Sequence, residues 1–323
     1  MATSDQLKAL IRSHFNDDLE HFITVALQLA AHEAQQGHGA LAHDIRGIID
    51  KARREQNVFK VFQFPQDLRG LVLSEESKVS LISLVVTKDI RVRIDRIIHE
   101  YRQQEKLKSH GLSNRRKILL AGQPGTGKTM TAQVLAHELK LPLHTIQVDK
   151  LVTKFMGETA AKLRQIFDLI QKEQAVYLFD EFDAIGGERS LENDVAEMRR
   201  VLNSFLQFIE RDPSDSLIIA ATNNPRLLDK ALFRRFNDVL YYDLPDAQAR
   251  KCLIQNVLGS FMPSKIVWKK LLPASEGLSH AEIGQAGQDS IKLAVLNDQE
   301  VISGELFSQM IFERQATHTR NRV

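Results

Sequence analysis

The sequence Gly122-Gln123-Pro124-Gly125-Thr126-Gly127-Lys128-Thr129 decides the fold of this chain. It matches the pattern G-x-x-x-x-G-K-[ST], whose glycines let the backbone curl until successive N–H groups point inward at phosphate oxygens. In such a loop the ammonium of Lys128 reaches the β- and γ-phosphates of a nucleotide, and the Thr129 hydroxyl can ligate Mg²⁺. The stretch therefore predicts a phosphate-binding loop.

The segments around the loop have the patterns that this motif requires. Lys117–Ala121 reads as a short buried strand and Met130–Leu139 as a helix, so a bound anion would lie at a helix N-terminus. Further apolar runs alternate with helical patterns, near Leu143–Val148, Val176–Asp180, Leu217–Ala221 and Val239–Tyr242. This alternation predicts an α/β fold with a five-stranded parallel sheet and crossover helices.

The remaining segments predict helical regions on either side of this core. Residues 1–56 carry three amphipathic patterns, which predict a small N-terminal helical module that recruits a partner. Residues 57–67 read as an extended linker. Residues 68–245 are predicted to form the nucleotide-binding domain, with a long helix from about Ser74 to Tyr101. Beyond Pro245 the pattern is all helical, which predicts an α-helical lid domain over residues 246–323.

The composition argues against several classes of protein. With 323 residues and a net charge of +2, the chain has no general basic field for nucleic acid. No apolar run is long enough to predict a membrane span, and no secretory signal pattern is visible at the N-terminus. The single cysteine, Cys252, rules out an internal disulfide and suits a reducing cytosol. We therefore expect a cytoplasmic protein with no membrane span.

Polar side chains end two of the predicted core strands. Asp180 and Glu181 follow an apolar run that lies about fifty residues after the loop. Asp180 suits the Mg²⁺ shell, and Glu181 can orient and polarise the water that attacks the γ-phosphate. Asn223 ends another core strand, where its amide can hold the attacking water and touch the γ-phosphate. These three residues predict hydrolysis in addition to binding.

Two adjacent arginines, Arg234 and Arg235, follow the strand that ends near Asn223. Guanidinium groups neutralise the charge that develops on a transferring phosphoryl group. We expect this pair to face a subunit edge and to act as arginine fingers on the nucleotide of a neighbouring subunit.

Together these segments resemble an AAA ATPase of the narrow, substrate-remodelling clade within the AAA+ superfamily. The likeness runs from about Gly70 to Arg314 and rests on Gly122–Thr129, Phe179-Asp180-Glu181, Ala221-Thr222-Asn223, Leu228-Asp229, Arg234-Arg235-Phe236, Leu244-Pro245 and Gly277-Leu278-Ser279. It implies a P-loop NTPase (AAA+) core with a helical lid. It also implies a hexameric ring of copies of this chain, with ATP and Mg²⁺ bound between subunits.

The resemblance also implies which residues contact the nucleotide. On the phosphate side these are Gln123, Pro124, Gly125, Thr126, Gly127, Lys128, Thr129 and Met130. On the adenine side they are His280 and Ala281 in the lid, with backbone near Gly70 and Leu71. Two positions depart from the family pattern, because Gln123 replaces a proline and His280 stands where a glycine is usual.

Lys154-Phe155-Met156-Gly157-Glu158-Thr159 resembles the first pore loop of this family. An exposed aromatic such as Phe155 can insert between the side chains of an extended polypeptide, and Met156 adds an adaptable apolar contact. The resemblance thus implies a ring that hydrolyses ATP to thread a protein substrate past Phe155. Two alternatives stay open: an ATP-gated oligomeric switch that activates a bound effector without threading, and a DNA-associated AAA+ loader.

The chain also resembles short bacterial AAA ATPases that are paired with a subtilisin-like serine protease in anti-phage defence. In that case residues 1–56 would recruit the protease or the substrate.

Overall fold

The computed structural model describes residues 19–35, 38–56, 68–154, 158–186, 192–228, 230–263 and 266–320. The chain divides into two compact units, Met1–Gln63 and Phe64–Val323. In the first unit, helices α1 (Leu19–Gln35) and α2 (Gly39–Gln56) pack against each other. The first of the three predicted N-terminal helices and the predicted linker, residues 57–67, lie outside the described residues. No helix in the described ranges is long and apolar enough to cross a membrane.

A six-stranded sheet forms the centre of the second unit. Its strands are β1 (Val72–Glu75), β2 (Lys117–Gly122), β3 (Leu143–Gln147), β4 (Val176–Asp180), β5 (Leu217–Thr222) and β6 (Asp238–Tyr242). They lie in the order β1-β3-β4-β5-β2-β6, and every neighbouring pair is parallel apart from β1 with β3. The predicted five-stranded parallel core is therefore confirmed, and β1 is an additional antiparallel edge strand.

Strand β1 lies where the sequence predicted the start of a long helix. That prediction is wrong for its first half, because helix α3 (Lys88–Arg102) begins only after Thr87. The Thr87 hydroxyl accepts the N–H of Ile90 at 3.4 Å and caps the helix there. Residues 72–75 pair with β3 instead, with Val72 opposite Ile146. Such a pairing between distant segments has no local sequence signal.

Helices cover both faces of the sheet because successive side chains of a strand point to opposite sides. On one face Ile97 of α3 packs in a common core with Leu120 of β2. On the other, Phe167 and Phe205 lie against Phe179 of β4, with ring centroids 5.9 and 5.2 Å away. The remaining helices of this region are α4 (Gln104–Ser109), α5 (Lys128–Leu139), α6 (Val148–Lys154), α7 (Thr159–Lys172), α8 (Asp183–Gly186), α9 (Glu192–Arg211) and α10 (Lys230–Phe233).

In the described part of the chain after Pro245 there are four α-helices, as the sequence predicted. They are α11 (Ala247–Leu258), α12 (Trp268–Ala274), α13 (His280–Leu296) and α14 (Gly304–Arg320). Leu253, Ile283 and Phe307 belong to their common apolar core. The buried guanidinium of Arg250 donates to the carbonyl oxygens of Pro245 and Leu272, at 2.8 and 3.2 Å, and so joins α11 to α12.

Candidate active site

The phosphate loop joins β2 to α5 in a conformation that requires its glycines. Gly125 and Gly127 have φ angles of 72° and 101°, in the left-handed region that side chains disfavour. A Cβ atom on Gly122 would lie only 2.1 Å from the carbonyl oxygen of Tyr242. The hydroxyl of the fully buried Thr126 donates to the carbonyl of Gln123 at 2.7 Å. This hydrogen bond between Thr126 and Gln123 thus stabilises the conformation of the loop.

The side chain of Lys128 is buried in this loop. Its ammonium donates to the carbonyl oxygens of Gly122 and Gln123, both at 2.8 Å. Burial lowers the pKa of Lys128, and the carboxylates of Asp180 and Asp183 act in the opposite direction. The structure therefore holds a cation where the loop would receive phosphate oxygens.

The carboxyl end of β4 brings an acid next to the loop. The Thr129 hydroxyl donates to Oδ2 of Asp180 at 3.3 Å. The two residues predicted to hold Mg²⁺ are therefore adjacent, and both offer the oxygen ligands that this ion prefers. The pair fits Mg²⁺, which when bound would neutralise charge on the β- and γ-phosphates.

Glu181 follows Asp180 in an unusual backbone conformation. Its φ angle is 52°, which is uncommon for a residue that has a side chain. Although Glu181 is exposed, partial desolvation raises the pKa of its carboxyl group, and the negative charges of Asp149, Asp180 and Asp183 raise it further. A raised pKa makes a carboxylate a better proton acceptor, which suits the predicted action on water.

Asn223 lies beside Glu181 because β4 and β5 are neighbours in the sheet. Its backbone N–H donates to Oδ1 of Asp183 at 3.1 Å. The N–H of Phe182 donates to the carbonyl oxygen of Ala221 at 2.8 Å. The turn after β4 is thus joined to the end of β5 at two points.

These groups line a cleft of about 820 Å³ between the sheet and the lid. The predicted residues that line it are Pro124, Gly125, Gly127, Lys128, Thr129, Met130, Asp180, Glu181, Asn223, His280 and Ala281. The lining residues that the sequence did not identify are Ile82, Ser83, Leu84, Val85, Leu253, Asn256, Val257, Gly284 and Gln288. The lid residues in this second set are spaced three or four positions apart, either from His280 or from one another, and so share a helix face. This spacing could have identified them from the sequence. Ile82–Val85 has no such signal.

Gly70 and Leu71 are not among the described residues that line the cleft. They precede β1, and three strands separate β1 from β2. At about 4.8 Å between adjacent strands, β1 lies about 19 Å from β2 across the sheet. The predicted adenine contact at Gly70 and Leu71 is therefore corrected, and Ile82–Val85 is the segment from this part of the chain that reaches the cleft.

The lid contacts the phosphate loop directly. The N–H of Ala281 donates to the carbonyl oxygen of Gly125 at 3.0 Å. Burial lowers the pKa of His280, although a hydrogen bond to the backbone of Val85 opposes this effect. The neutral form of the imidazole is therefore favoured, and its hydrogen bond to Val85 joins the lid to the segment on the opposite side of the cleft.

We expect Gly125→Ala to raise the Kd for ATP by about tenfold or more. A Cβ atom there would lie 2.8 Å from Oγ of Ser279 in the lid and would also strain a left-handed residue, at about 1–3 kcal/mol. Titration with a fluorescent ATP analogue measures the change. Gly111→Ala is the matched control, because Gly111 has a φ angle of 70° but a Cβ atom there would meet no other atom within 4 Å. An unchanged Kd for Gly125→Ala would contradict the close contact between loop and lid.

Arg234 and Arg235 lie away from the cleft of their own chain. They precede β6, whose Asp238 is aligned with Ile118 near the start of β2, whereas the phosphate loop follows the other end of β2. Four strand residues span about 13 Å. Arg235 forms an ion pair with Glu210, and both side chains remain partly exposed. This distance argues against action on the nucleotide of the same chain.

The predicted pore-loop residues Phe155 and Met156 lie outside the described residues. Helix α6 begins directly after β3 and ends at Lys154. Gln147 at the end of β3 is aligned with Asp180 of β4. The element that precedes the predicted pore loop therefore starts next to the acids of the cleft.

Comparisons with known proteins agree on one family. The family model described as "ATPase family associated with various cellular activities (AAA)" matches residues 118–244. An uncharacterized AAA family ATPase, y4kL of Sinorhizobium fredii, is 32% identical over 321 residues, which cover 96% of this chain and 95% of that protein.

Two other relatives match over shorter regions. A putative 26S proteasome regulatory subunit homolog of Methanothermobacter thermautotrophicus is 34% identical over 62% of this chain and 56% of its own length. Vacuolar protein sorting-associated protein 4 of Dictyostelium discoideum is 33% identical over 66% of this chain and 52% of its own length. The chain spans about half of the length of these two proteins.

Proposed function

The chain belongs to the AAA family of ATPases, and on that premise we propose that it works as a Mg²⁺-dependent hexameric ring that remodels a protein substrate by threading it past Phe155. The cleft carries this proposal, because it brings Lys128, Glu181 and Asn223 together at the carboxyl ends of β2, β4 and β5. Ligands bind at this edge of open α/β sheets.

Five polar side chains that line the cleft have a role in the proposed reaction. The loop amides and Lys128 bind the phosphates of ATP, and Thr129 and Asp180 hold Mg²⁺. Glu181 accepts a proton from the attacking water, while the amide of Asn223 orients that water against the γ-phosphate. The raised pKa of Glu181 supports its assignment as the proton acceptor.

The outer part of the cleft suits an adenine base. Leu84 and Val85 line it from the segment before α3, and Leu253 and Val257 line it from α11. Mostly apolar walls with a few polar groups are typical of sites for flat organic ligands. The amide of Asn256 is such a polar group.

The position of the arginines supports a ring. Because Arg234 and Arg235 lie at the far end of β2 from their own phosphate loop, we assign them to the nucleotide of the next subunit. There their guanidinium groups would stabilise charge on the transferring phosphoryl group.

The names of two relatives support a protein substrate, since one concerns a proteasome regulatory subunit and the other protein sorting. We further propose that residues 1–56 recruit a partner, and that this partner is a subtilisin-like serine protease in anti-phage defence. This last step rests on the resemblance to short bacterial AAA ATPases. Nucleic acid is not proposed as a ligand, because the net charge is only +2.

Phe155→Ala tests threading. Phe155 is predicted to belong to a pore loop that grips substrate. We therefore expect ATP affinity within about twofold of the original protein but a loss of stimulation by a polypeptide substrate. ATPase assays with and without casein, an unfolded polypeptide, measure this difference. Phe312→Ala is the control, since Phe312 is another exposed phenylalanine, on α14. Full stimulation of the Phe155→Ala protein would favour the ATP-gated switch.

A further inference from the structure

The turn that carries Glu181 is tied to the strand that carries Asn223 by two hydrogen bonds. One joins backbone to backbone, from the N–H of Phe182 to the carbonyl oxygen of Ala221 at 2.8 Å. The other uses a side chain, because Oδ1 of Asp183 accepts the N–H of Asn223 at 3.1 Å. Only the second bond can be removed by substituting a side chain.

The conformation of Glu181 makes these bonds important. A residue with a side chain at a φ angle of 52° is strained, and such strain persists only where the surrounding structure determines the conformation. Glu181 itself takes part in two bonds within the turn: its N–H donates to Oδ1 of Asp180 at 3.0 Å, and its carbonyl oxygen accepts the N–H of Ala184 at 2.9 Å. Neither of these bonds reaches β5. The bond from Asp183 is the one that reaches the backbone of Asn223 itself, whereas the bond from Phe182 ends at Ala221.

Asp183 itself is not among the described residues that line the cleft. It is partly buried and occupies the first position of α8. The charge of this carboxylate raises the pKa of Lys128 and of Glu181. A hydrogen-bonding role and a purely electrostatic role can thus be separated by an uncharged substitute.

We propose that Asp183 is a positioning residue for ATP hydrolysis, which holds the backbone of Asn223 so that its amide stays aligned with Glu181. This inference rests on the proposed roles of Asn223 and Glu181. A displacement of about 1 Å at a reacting group is enough to slow an enzyme by up to a hundredfold. Loss of the bond should therefore reduce the rate of the chemical step and leave nucleotide binding in place.

Two substitutions of Asp183 test the hydrogen bond. We expect Asp183→Ala to lower kcat about tenfold, with KM and the Kd for a fluorescent ATP analogue within about twofold. Asp183→Asn keeps an oxygen acceptor at the same place and should retain more than about half of kcat. If D183N lowered kcat as much as D183A, the hydrogen-bonding role would be overturned. A tenfold rise in KM in D183A would overturn it as well.

A double-mutant cycle tests whether Asp183 acts through Asn223. If it does, D183A should lower kcat by less than about twofold in a protein that already carries Asn223→Ala, because the side chain to be aligned is gone. Multiplicative losses would overturn the proposal. Full activity of Asn223→Ala alone would overturn both the proposed role of Asn223 and this inference, whereas an inactive N223A beside a fully active D183A would overturn this inference only.

Controls separate positioning from general destabilisation. Asp246 also accepts a backbone N–H, from Ala249 at 2.7 Å, at the start of α11. Asp246→Ala should lower Tm, as loss of a helix cap does, and leave kcat within about twofold. If D183A fails to fold, Asp183→Glu replaces it, since this variant keeps the charge but moves the acceptor by one methylene group. We expect D183E to lower kcat about tenfold, as predicted for D183A, and an unchanged kcat would overturn the proposal.

Discussion

Glu181→Gln is expected to lower the rate of ATP hydrolysis by at least about 10²-fold while the affinity for ATP stays within about threefold. The amide keeps the size and polarity of Glu181 but accepts no proton from water. The substitution leaves the phosphate loop unchanged, with Lys128 donating to the carbonyls of Gly122 and Gln123, so the loop should bind nucleotide as before. Single-turnover hydrolysis and titration with a fluorescent ATP analogue measure the two quantities.

The control for this experiment is Glu305→Gln, which removes an exposed carboxylate from the first turn of α14 in the lid. Its hydrolysis rate should remain within about twofold of the original, as is usual for exposed sites. Normal turnover by the Glu181→Gln protein would remove Glu181 from the proposed mechanism. Because that variant should hold ATP, it should also stabilise oligomers, and proteins that co-purify with it would identify the substrate or the partner of residues 1–56.

Arg235→Ala should have the second large effect, a loss of about 10³-fold in kcat. The reason is that a guanidinium neutralises charge on the transferring phosphoryl group, and that Arg235 is too far from its own phosphate loop to act within one chain. We therefore expect inactive Arg235→Ala protein and inactive Lys128→Ala protein to regain activity when they are mixed. In the mixture, an intact loop of one variant lies next to an intact arginine of the other.

The mixing experiment is read as ATPase activity against the ratio of the two variants. Activity should be highest at intermediate ratios, where mixed neighbours are most frequent. A mixture of Lys128→Ala protein with an Arg96→Ala variant, in which an exposed arginine of α3 is removed, should show only the activity of the Arg96→Ala subunits. No rescue at any ratio of Arg235→Ala to Lys128→Ala would argue against action between subunits.

The elements that carry the chemistry could be predicted from the sequence because their signals are local. The spacing of the glycines and Lys128 encodes the shape of the phosphate loop, since only glycine readily adopts the φ angles observed at Gly125 and Gly127. The apolar runs of β2, β4 and β5 encode strands that are buried on both faces. Asp180 and Asn223 follow two of these runs, and parallel strands bring their carboxyl ends to one edge.

The tertiary structure alone decided how distant segments meet. Strand β1 forms because residues 72–75 pair with β3, a contact that overrides the helical pattern of the segment. Because β1 is the edge strand, Gly70 lies at the edge of the sheet, and the segment that follows β1 brings Ile82–Val85 to the cleft. The bond between Asp183 and Asn223 joins residues forty positions apart, and the separation of Arg235 from its own loop follows from the register of β6 on β2. Each of these depends on packing between segments far apart in sequence, which local periodicity does not encode.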